Sequence, residues 1–355
     1  MALRHFQATN FRCLTSISLE VEPRYNLIYG PNASGKTSVL EAIAYLGRGK
    51  SFRGASPQNL ISHGAREFLL RGKVDARTRQ VTVGVRNSKD GLEIKIDGNR
   101  ETSAAALVGI LPLQILDPDV HNLVAGGPEY RRRYLDWMAF HVEQGYQERW
   151  RRFRRALRQR NAALREGAGK TAISAWDREF LEAAEAVDQT RRRVLDSAHM
   201  ALEETGAALL GCAVGFEYLQ GWASERGLAE SLASGWERDQ QMGTTQAGPQ
   251  RAELRLIYDE RRAKPLVSRG QQKLFACTMI LAATEVVQAA LEQPLLLLLD
   301  DPAAELDEQA LDRLMSRVFG LGSQIIATAL DAETLRFPGP AALFHVEQGG
   351  LQKTA

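Results

Sequence analysis

The sequence predicts an α/β fold: a phosphate-loop head with a mixed sheet and an antiparallel β subdomain, divided by an inserted helical second lobe. Three observations predict it. "YNLIYG" (residues 25–30) runs directly into "GPNASGKT" (30–37), so an apolar strand, a glycine-rich loop and a helix follow one another. From Glu67 to Asn99 short alternating runs are separated by turn residues, the pattern of an antiparallel sheet. Between about Tyr130 and Leu210 no strand pattern survives, and Ala, Leu, Arg and Glu dominate at helical spacing. The α/β texture resumes near Leu254, which places the head at residues 1–125 plus 252–355 and the lobe at 126–251.

In chain order, "SISLEV" (16–21) alternates as a half-buried strand does, and "YNLIYG" is the short apolar run of a central strand. "KTSVLEAIAYLGRG" carries apolar residues at helical spacing from Val39 to Leu46, with Gly47 as the expected stop. "EFLLRGKV", "QVTVGVR" and "LEIKIDGN" follow as strands joined by tight turns such as "NSKDG". The lobe's long helices break near "REGAGKTAIS" (165–174) and fold back on each other. Residues 211–250, rich in Gly, Ser and Gln, give no clear period. "LVSRGQQKLFACTMILAATEVV" from Leu266 then reads as a long helix, and "PLLLLLDDP" as a strand buried on both faces.

Composition narrows the class. The 355 residues suffice for one large core or two domains, and 44% hydrophobic with 25% charged residues is ordinary for a globular protein. A net charge of +2 makes any nucleic-acid argument depend on local charge. Cys13, Cys212 and Cys277 are far apart and form neither a disulfide framework nor a zinc pattern, and the six histidines lack ligand spacing. "MALRHFQATNFR" is unlike a signal peptide, and the apolar run Leu295–Leu299 is far shorter than the ~20 residues of a membrane span. A cytoplasmic protein without membrane attachment is expected.

The loop matches G-x-x-x-x-G-K-[ST] in full. Gly30, Pro31, Asn32, Ala33, Ser34 and Gly35 form it, and the N–H groups from Asn32 to Lys36 would cradle phosphates where the helix dipole favours negative charge. Lys36 would reach the β- and γ-phosphates of ATP and Thr37 would hold Mg²⁺, with Ser38 beside it in the helix's first turn. A carboxylate from a neighbouring strand completes such a site, and two candidates exist. "LQILD" ends at Asp117, a distance that suits a compact, monomeric nucleotide kinase. "PLLLLLDDP" ends at adjacent acids, Asp300 for the metal and Asp301 as general base for the attacking water.

Ser268, Arg269, Gly270 and Gln271 precede the long helix from Leu266's segment, and serine with glycine before a helix forms an anion site. A plain helix cap is the competing reading. One nucleotide does not need two phosphate sites, so the second faces the γ-phosphate of ATP on a partner subunit. "VSRGQ" resembles the signature of ABC-type ATPases, whose two heads sandwich two ATPs. The chain as a whole resembles the RecF family of bacterial recombination mediators. "NFRC" (10–13), "GPNASGKTSVLEAI", "LGRGKSFR" (46–53), "GGPEYRRRYLDW" (126–137), "RRFRRALRQRNAAL" (151–164), "VSRGQQK" (267–273) and "LFHVEQG" (343–349) carry that resemblance.

The resemblance implies an ABC-type head with a short helical second lobe, an ATP-dependent homodimer, and slow DNA-stimulated hydrolysis. It also implies action with RecR and RecO at gaps between single- and double-stranded DNA, helping to load RecA. By it, Lys36, Ser268 and Asp301 are the catalytic group, with Ser268 and Gly270 acting across the dimer. "AELD" (304–307) lies at the dimer interface, and Arg12 lies near the nucleotide. Two departures stand out. Ala329 follows "QIIAT" where transporter-type ATPases usually have histidine, which fits a slow switch better than a motor. "QILDPDVHNLV" occupies the place of the glutamine loop, leaving Gln114, Asp117 and Asp119 as its weak candidates. A scaffold that binds ATP without hydrolysing it is a further competing reading.

From Tyr130 to Arg165 there are eleven arginines and three acids, a local excess of +8. That is the patch a sequence-tolerant DNA binder needs, with Arg151, Arg152 and Arg155 as contacts and Trp150 and Phe153 able to stack on bases. Lys50 and Arg53 in "GKSFRG" are the other DNA candidates. The opposing reading pairs this basic helix with the acidic "WDREFLEAAEAVD" (176–188) and makes Trp150 and Phe153 core.

Overall fold

Alternation along the first strands builds the first sheet. The computed structural model describes residues 2–76, 79–263 and 266–354. β1 (Ala2–Phe11) pairs antiparallel with β2 (Leu14–Glu20), after which β3 (Tyr25–Tyr29) leads into α1 (Lys36–Arg48). β4 (Glu67–Asp75), β5 (Gln80–Ser88), β6 (Gly91–Ile96) and β7 (Asn99–Glu101) complete an antiparallel sheet of order β2-β1-β4-β5-β6-β7. α2 (Ala105–Ile110) and β8 (Leu113–Leu116) follow. Alternate residues Phe6 and Ala8, Phe68 and Leu70, and Val81, Val83 and Val85 are buried and meet α1 through Val39, Leu40 and Ile43. Phe11, Tyr45 and Phe68 pack edge to face with centroids 5.0–6.1 Å apart.

α1 ends two residues later than its sequence indicates. Gly49 is the left-handed C-cap at φ 66°, its N–H bonded to the Tyr45 carbonyl, and Gly47 lies inside the helix. A Cβ on Gly47 would stand 2.5 Å from Leu113 Cδ2 and 3.0 Å from the Leu111 carbonyl oxygen. Gly47 therefore lets the helix approach the chain entering β8 rather than stopping the helix.

The chain divides into two units, Met1–Val120 with Glu292–Ala355, and His121–Leu291. The second unit comprises α3 (Asn122–Ala125), α4 (Pro128–Val142), α5 (Tyr146–Arg165), α6 (Lys170–Ser174), α7 (Asp177–Leu210), β9 (Val214–Leu219), α8 (Gly227–Ser234), α9 (Trp236–Met242), β10 (Glu253–Tyr258), β11 (Arg261–Arg262) and α10 (Arg269–Leu291). α5 packs Phe153, Ala156 and Leu157 toward α7, where the Phe153 and Phe180 rings lie 5.8 Å apart. α10 is long and apolar enough to cross a membrane, yet 67% of its most apolar window is buried, as in a core helix. It packs on α7 and α4, and Tyr134 donates to the Met279 carbonyl at 3.1 Å. The expected lobe limits, 126 and 251, lie inside this unit, because α10 and the small sheet β11-β10-β9 pack with its helices.

The remainder of the first unit is β12 (Leu296–Leu299), α11 (Glu308–Gly320), β13 (Gln324–Ala329), β14 (Ala341–Glu347) and β15 (Gly350–Lys353). They join β3 and β8 in a sheet of order β15-β14-β3-β13-β12-β8. All neighbours are parallel except β14 and β15, so β3, β13, β12 and β8 end at one edge. β13 lies between the strand before the phosphate loop and the acidic strand. Ligands bind at such carboxyl edges.

Candidate nucleotide-binding site

The phosphate loop is held by the chain around it. Gly30 N–H bonds the Leu330 carbonyl at 3.2 Å, and Gly349 N–H bonds the Ser34 carbonyl at 2.9 Å, so "LFHVEQG" props the loop. Gly35, the N-cap of α1, has φ 115°, and a Cβ there would meet Cys13 Sγ at 3.1 Å. No side chain caps α1, which leaves its first-turn N–H groups for a ligand. Lys36 Nζ donates to the carbonyls of Gly30 at 2.6 Å and Pro31 at 2.9 Å. Ser34 Oγ is buried without a hydrogen-bond partner. Uncapped amides, an ammonium resting on its own loop and an orphaned hydroxyl fit the phosphates of a nucleotide.

The acidic strand supplies the second half. Thr37 Oγ1 donates to Asp300 Oδ1 at 3.0 Å, and Thr328 Oγ1 donates to the same oxygen at 2.8 Å. Asp301 N–H donates to Thr328 Oγ1 at 2.9 Å, and Asp301 has φ 48°, a left-handed conformation rare outside glycine. Thr328, 0% exposed on the intervening β13, thus holds both acids, a role absent from the sequence-based expectations. A polar residue at the end of "QIIAT" was its signal. Burial pushes the Asp300 carboxyl above the usual carboxylate range, against the hydrogen bonds from Thr328 and Thr37. The oxygens of Thr37 and Asp300 suit a hard divalent cation. Among the described residues no cluster of three His, Cys, Asp or Glu could hold a metal alone, so water and phosphate would complete its shell, as is usual for Mg²⁺.

Asp117 follows β8 at the register of Asp300, since Leu116 pairs with Leu299. Burial, with Asp119 adding to it, pushes its carboxyl up to about 6. Both acid candidates therefore stand at one edge, but the direct contact to Thr37 belongs to Asp300. Gln114 lies within β8, where its Oε1 accepts from Arg48 at 3.0 Å and from Ile115 N–H at 3.2 Å. That side chain is tied down inside the strand. Asp119 is exposed. In "AELD", Asp307 caps α11 by accepting from Ala310 N–H at 2.8 Å, and Glu305 has φ 64°.

Arg12 is held against α1 by a two-pronged ion pair. Its Nε and Nη2 donate to both Glu41 oxygens at 2.9 and 3.0 Å, and its Nη1 donates to the Asn59 carbonyl at 3.3 Å. Glu41 is fully buried on α1, and a buried carboxylate needs such a partner. Lys50 and Arg53 are exposed, and Arg53 lies close enough to Asp300 to favour its charged form.

In the second unit, Ser268, Arg269, Gly270 and Gln271 open α10. Ser268 N–H donates to Gln271 Oε1 at 2.9 Å and Gln271 N–H to Ser268 Oγ at 3.4 Å, a capping box. Ser268 and Arg269 are exposed. On α5 the ion-paired reading holds for Arg152, whose fork lies on Glu179 and reaches Glu182 at 2.7 Å. Phe153 is core at 2% exposure, and Trp150 Nε1 donates to Asp136 at 3.3 Å with Arg154 stacked 5.2 Å above its ring. Arg151, Arg155 and Arg158 are exposed at i, i+4 and i+7, one stripe along the helix.

Residues 2–349 match the family described as "RecF/RecN/SMC N terminal domain". A protein of Pseudomonas fluorescens (strain Pf-5), named "DNA replication and repair protein RecF", is 41% identical over 362 residues, covering 100% of this chain and 99% of its own. One of Azotobacter vinelandii with the same name is 42% identical over 363 residues, with the same coverage. A solved structure described as "the recombination mediator protein RecF-ATPrS in RecFOR pathway" superposes with TM-score 0.89 at 25% identity, covering 99% of this chain and 98% of that one. An Smc head bound to the C-winged helix domain of ScpA matches in fold alone, with TM-score 0.63 at 14% identity over 100% of this chain and 97% of its own. The fold is that of an ABC-type ATPase head.

Proposed function

The chain belongs to the RecF family, and on that premise we propose that it is an ATP-dependent DNA-binding protein of recombinational repair and replication. Two copies close on ATP and Mg²⁺ at junctions between single- and double-stranded DNA, help load RecA, and hydrolyse ATP slowly. RecR and RecO are its partners, in the cytoplasm. The helical unit acts as the second lobe and carries the signature.

The observation that supports this reading is an uncapped phosphate loop on the same chain as a second, exposed helix start. The phosphate loop has uncapped helix amides beside the contact of Thr37 with Asp300, and a second helix opens at the exposed Ser268. With nucleotide bound, Lys36 exchanges its loop carbonyls for the β- and γ-phosphates, and the amides from Asn32 to Lys36 cradle them. Thr37 and Asp300 hold the Mg²⁺, which neutralises phosphate charge. Asp301 takes the proton of the attacking water, and Thr328 fixes its main chain. Ser268 of the other copy donates to the γ-phosphate. Ala329 offers no polar side chain at the switch position, which fits slow turnover.

The exposed stripe of Arg151, Arg155 and Arg158, with Lys50 and Arg53, supplies phosphate contacts for DNA. The test is retention of gapped duplex DNA with ATP, with ADP and without nucleotide. ATP should be required, and Asp301→Asn should hold DNA longest because it binds without hydrolysing. Arg155→Ala and Arg158→Ala should each reduce the salt slope by about one. A kinase would ignore DNA, and a non-hydrolysing scaffold would be indifferent to Asp301→Asn. Either outcome overturns the proposal.

A further inference from the structure

The capping box at the start of α10 is lopsided. Its short bond, 2.9 Å from Ser268 N–H to Gln271 Oε1, fastens the main chain, while its long one, 3.4 Å from Gln271 N–H to Ser268 Oγ, barely engages the hydroxyl. A serine hydroxyl has one proton and two lone pairs. Among the described residues Ser268 Oγ serves only as an acceptor, so its proton is left to donate outward from an exposed residue.

The Gln271 amide has one workable orientation. Its Oε1 must face Ser268 N–H, which directs Nε2 to the Tyr258 hydroxyl at 3.3 Å. A flipped amide would set donor against donor. Tyr258 ends β10, and its ring lies 6.3 Å from that of the buried Phe275 on α10. The turn after it, Asp259–Glu260, has φ 48° and 62°, left-handed at two non-glycine residues, and Asp259 N–H is anchored to the Ala213 carbonyl at 2.9 Å. An ordinary helix cap does not require this tyrosine.

We propose that Tyr258 and Gln271 are positioning residues for Ser268: they lock its main chain and leave its hydroxyl proton directed outward, to the terminal phosphate of a nucleotide held by a second copy of this chain. The inference rests on the reading above, in which Ser268 acts across the dimer. Tyr258→Phe removes the hydroxyl and keeps the ring on Phe275. Gln271→Leu keeps the bulk of the side chain without adding charge and removes its contacts to Ser268 N–H and to the Tyr258 hydroxyl.

The test measures ATP hydrolysis and ATP-driven dimerisation for both variants, alone and combined with Ser268→Ala. Loss of one hydrogen bond should lower kcat about two- to tenfold and weaken the dimer, with nucleotide affinity of the monomer unchanged. In the Ser268→Ala background neither variant should cost anything further, because the residue they position has lost its hydroxyl. Wild-type behaviour of Tyr258→Phe, or an equal loss with and without Ser268→Ala, overturns the inference and leaves the dimer reading standing. If Ser268→Ala itself leaves dimerisation and hydrolysis at wild-type levels, the dimer reading fails and takes this inference with it.

Discussion

Replacing Thr328 by valine probes the junction of the acidic strand with the phosphate loop. Thr328 is 0% exposed, and its Oγ1 donates to Asp300 Oδ1 at 2.8 Å and accepts from Asp301 N–H at 2.9 Å. Valine fills the same space and suits a strand, so no cavity forms. The loss is chemical. A hydrogen bond to a carboxylate is worth about 1.5–3 kcal/mol, and a stranded N–H costs about 1–3 kcal/mol. Asp301 is only half-buried and can recruit water, so the combined cost is roughly 2–4 kcal/mol. For a unit of this size that lowers the melting temperature by roughly 4–16 °C. Asp301, held at φ 48°, also loses its anchor, and in the proposed role of general base its misplacement by about an ångström lowers kcat up to roughly a hundredfold. Thr328→Ser keeps the oxygen and should lose only about 1 kcal/mol with its methyl group. Thermal melts and steady-state hydrolysis read both effects. Wild-type melting and kcat in the valine variant would refute the role given to Thr328.

Asp117→Asn should show a stability difference that depends on pH. The Asp117 carboxyl titrates at about 6 in the fold, above its usual range, so the folded form binds more protons. The wild type then loses stability as pH rises from about 4 to 6, and the neutral asparagine does not. Denaturation should find the variant more stable by roughly 1–2 kcal/mol at pH 8, after discounting for partial solvation, with the gap closing near pH 4. Arg160 is 1% exposed and donates to Asp177 at 2.9 Å, to Asp239 at 2.7 Å and to Thr245 at 2.8 Å. Arg160→Met strands the buried Asp239 and should cost about 3–5 kcal/mol in urea unfolding. Adding Asp239→Leu should restore much of that loss, and no recovery would contradict the pairing.

The parts legible in the sequence were those fixed by near neighbours. The phosphate loop, the leucine run of β12 and the helix start at Ser268 are local patterns, and each appears where the sequence placed it. What escaped depends on residues far apart. Arg12 and Glu41 are 29 positions apart, and nothing near Arg12 announces a buried acid. Thr328 matters because β13 inserts between β3 and β12, an order of strands that no window of sequence reveals. Gly47 and Gly49 both look like helix stops, and only the approach of Leu113 decides between them. Strand β9 lies in the Gly- and Gln-rich stretch without a period, and its pairing with β10 became visible only in the fold. Arg152 pairs with Glu179 and Glu182 of α7, and the buried Arg160 with Asp177 and Asp239, so the count of arginines in α5 alone overstated its unpaired charge.

The most direct test of the dimeric mechanism is the solution mass by sedimentation, with and without Mg-ATP, for the wild type and for Ser268→Arg. The mechanism predicts that ATP converts monomer to dimer in the wild type. The arginine variant should stay monomeric while still binding nucleotide, because its bulk blocks the second copy's γ-phosphate. A wild type that remains monomeric at every ATP concentration, or a Ser268→Arg protein that dimerises as well as the wild type, would contradict it.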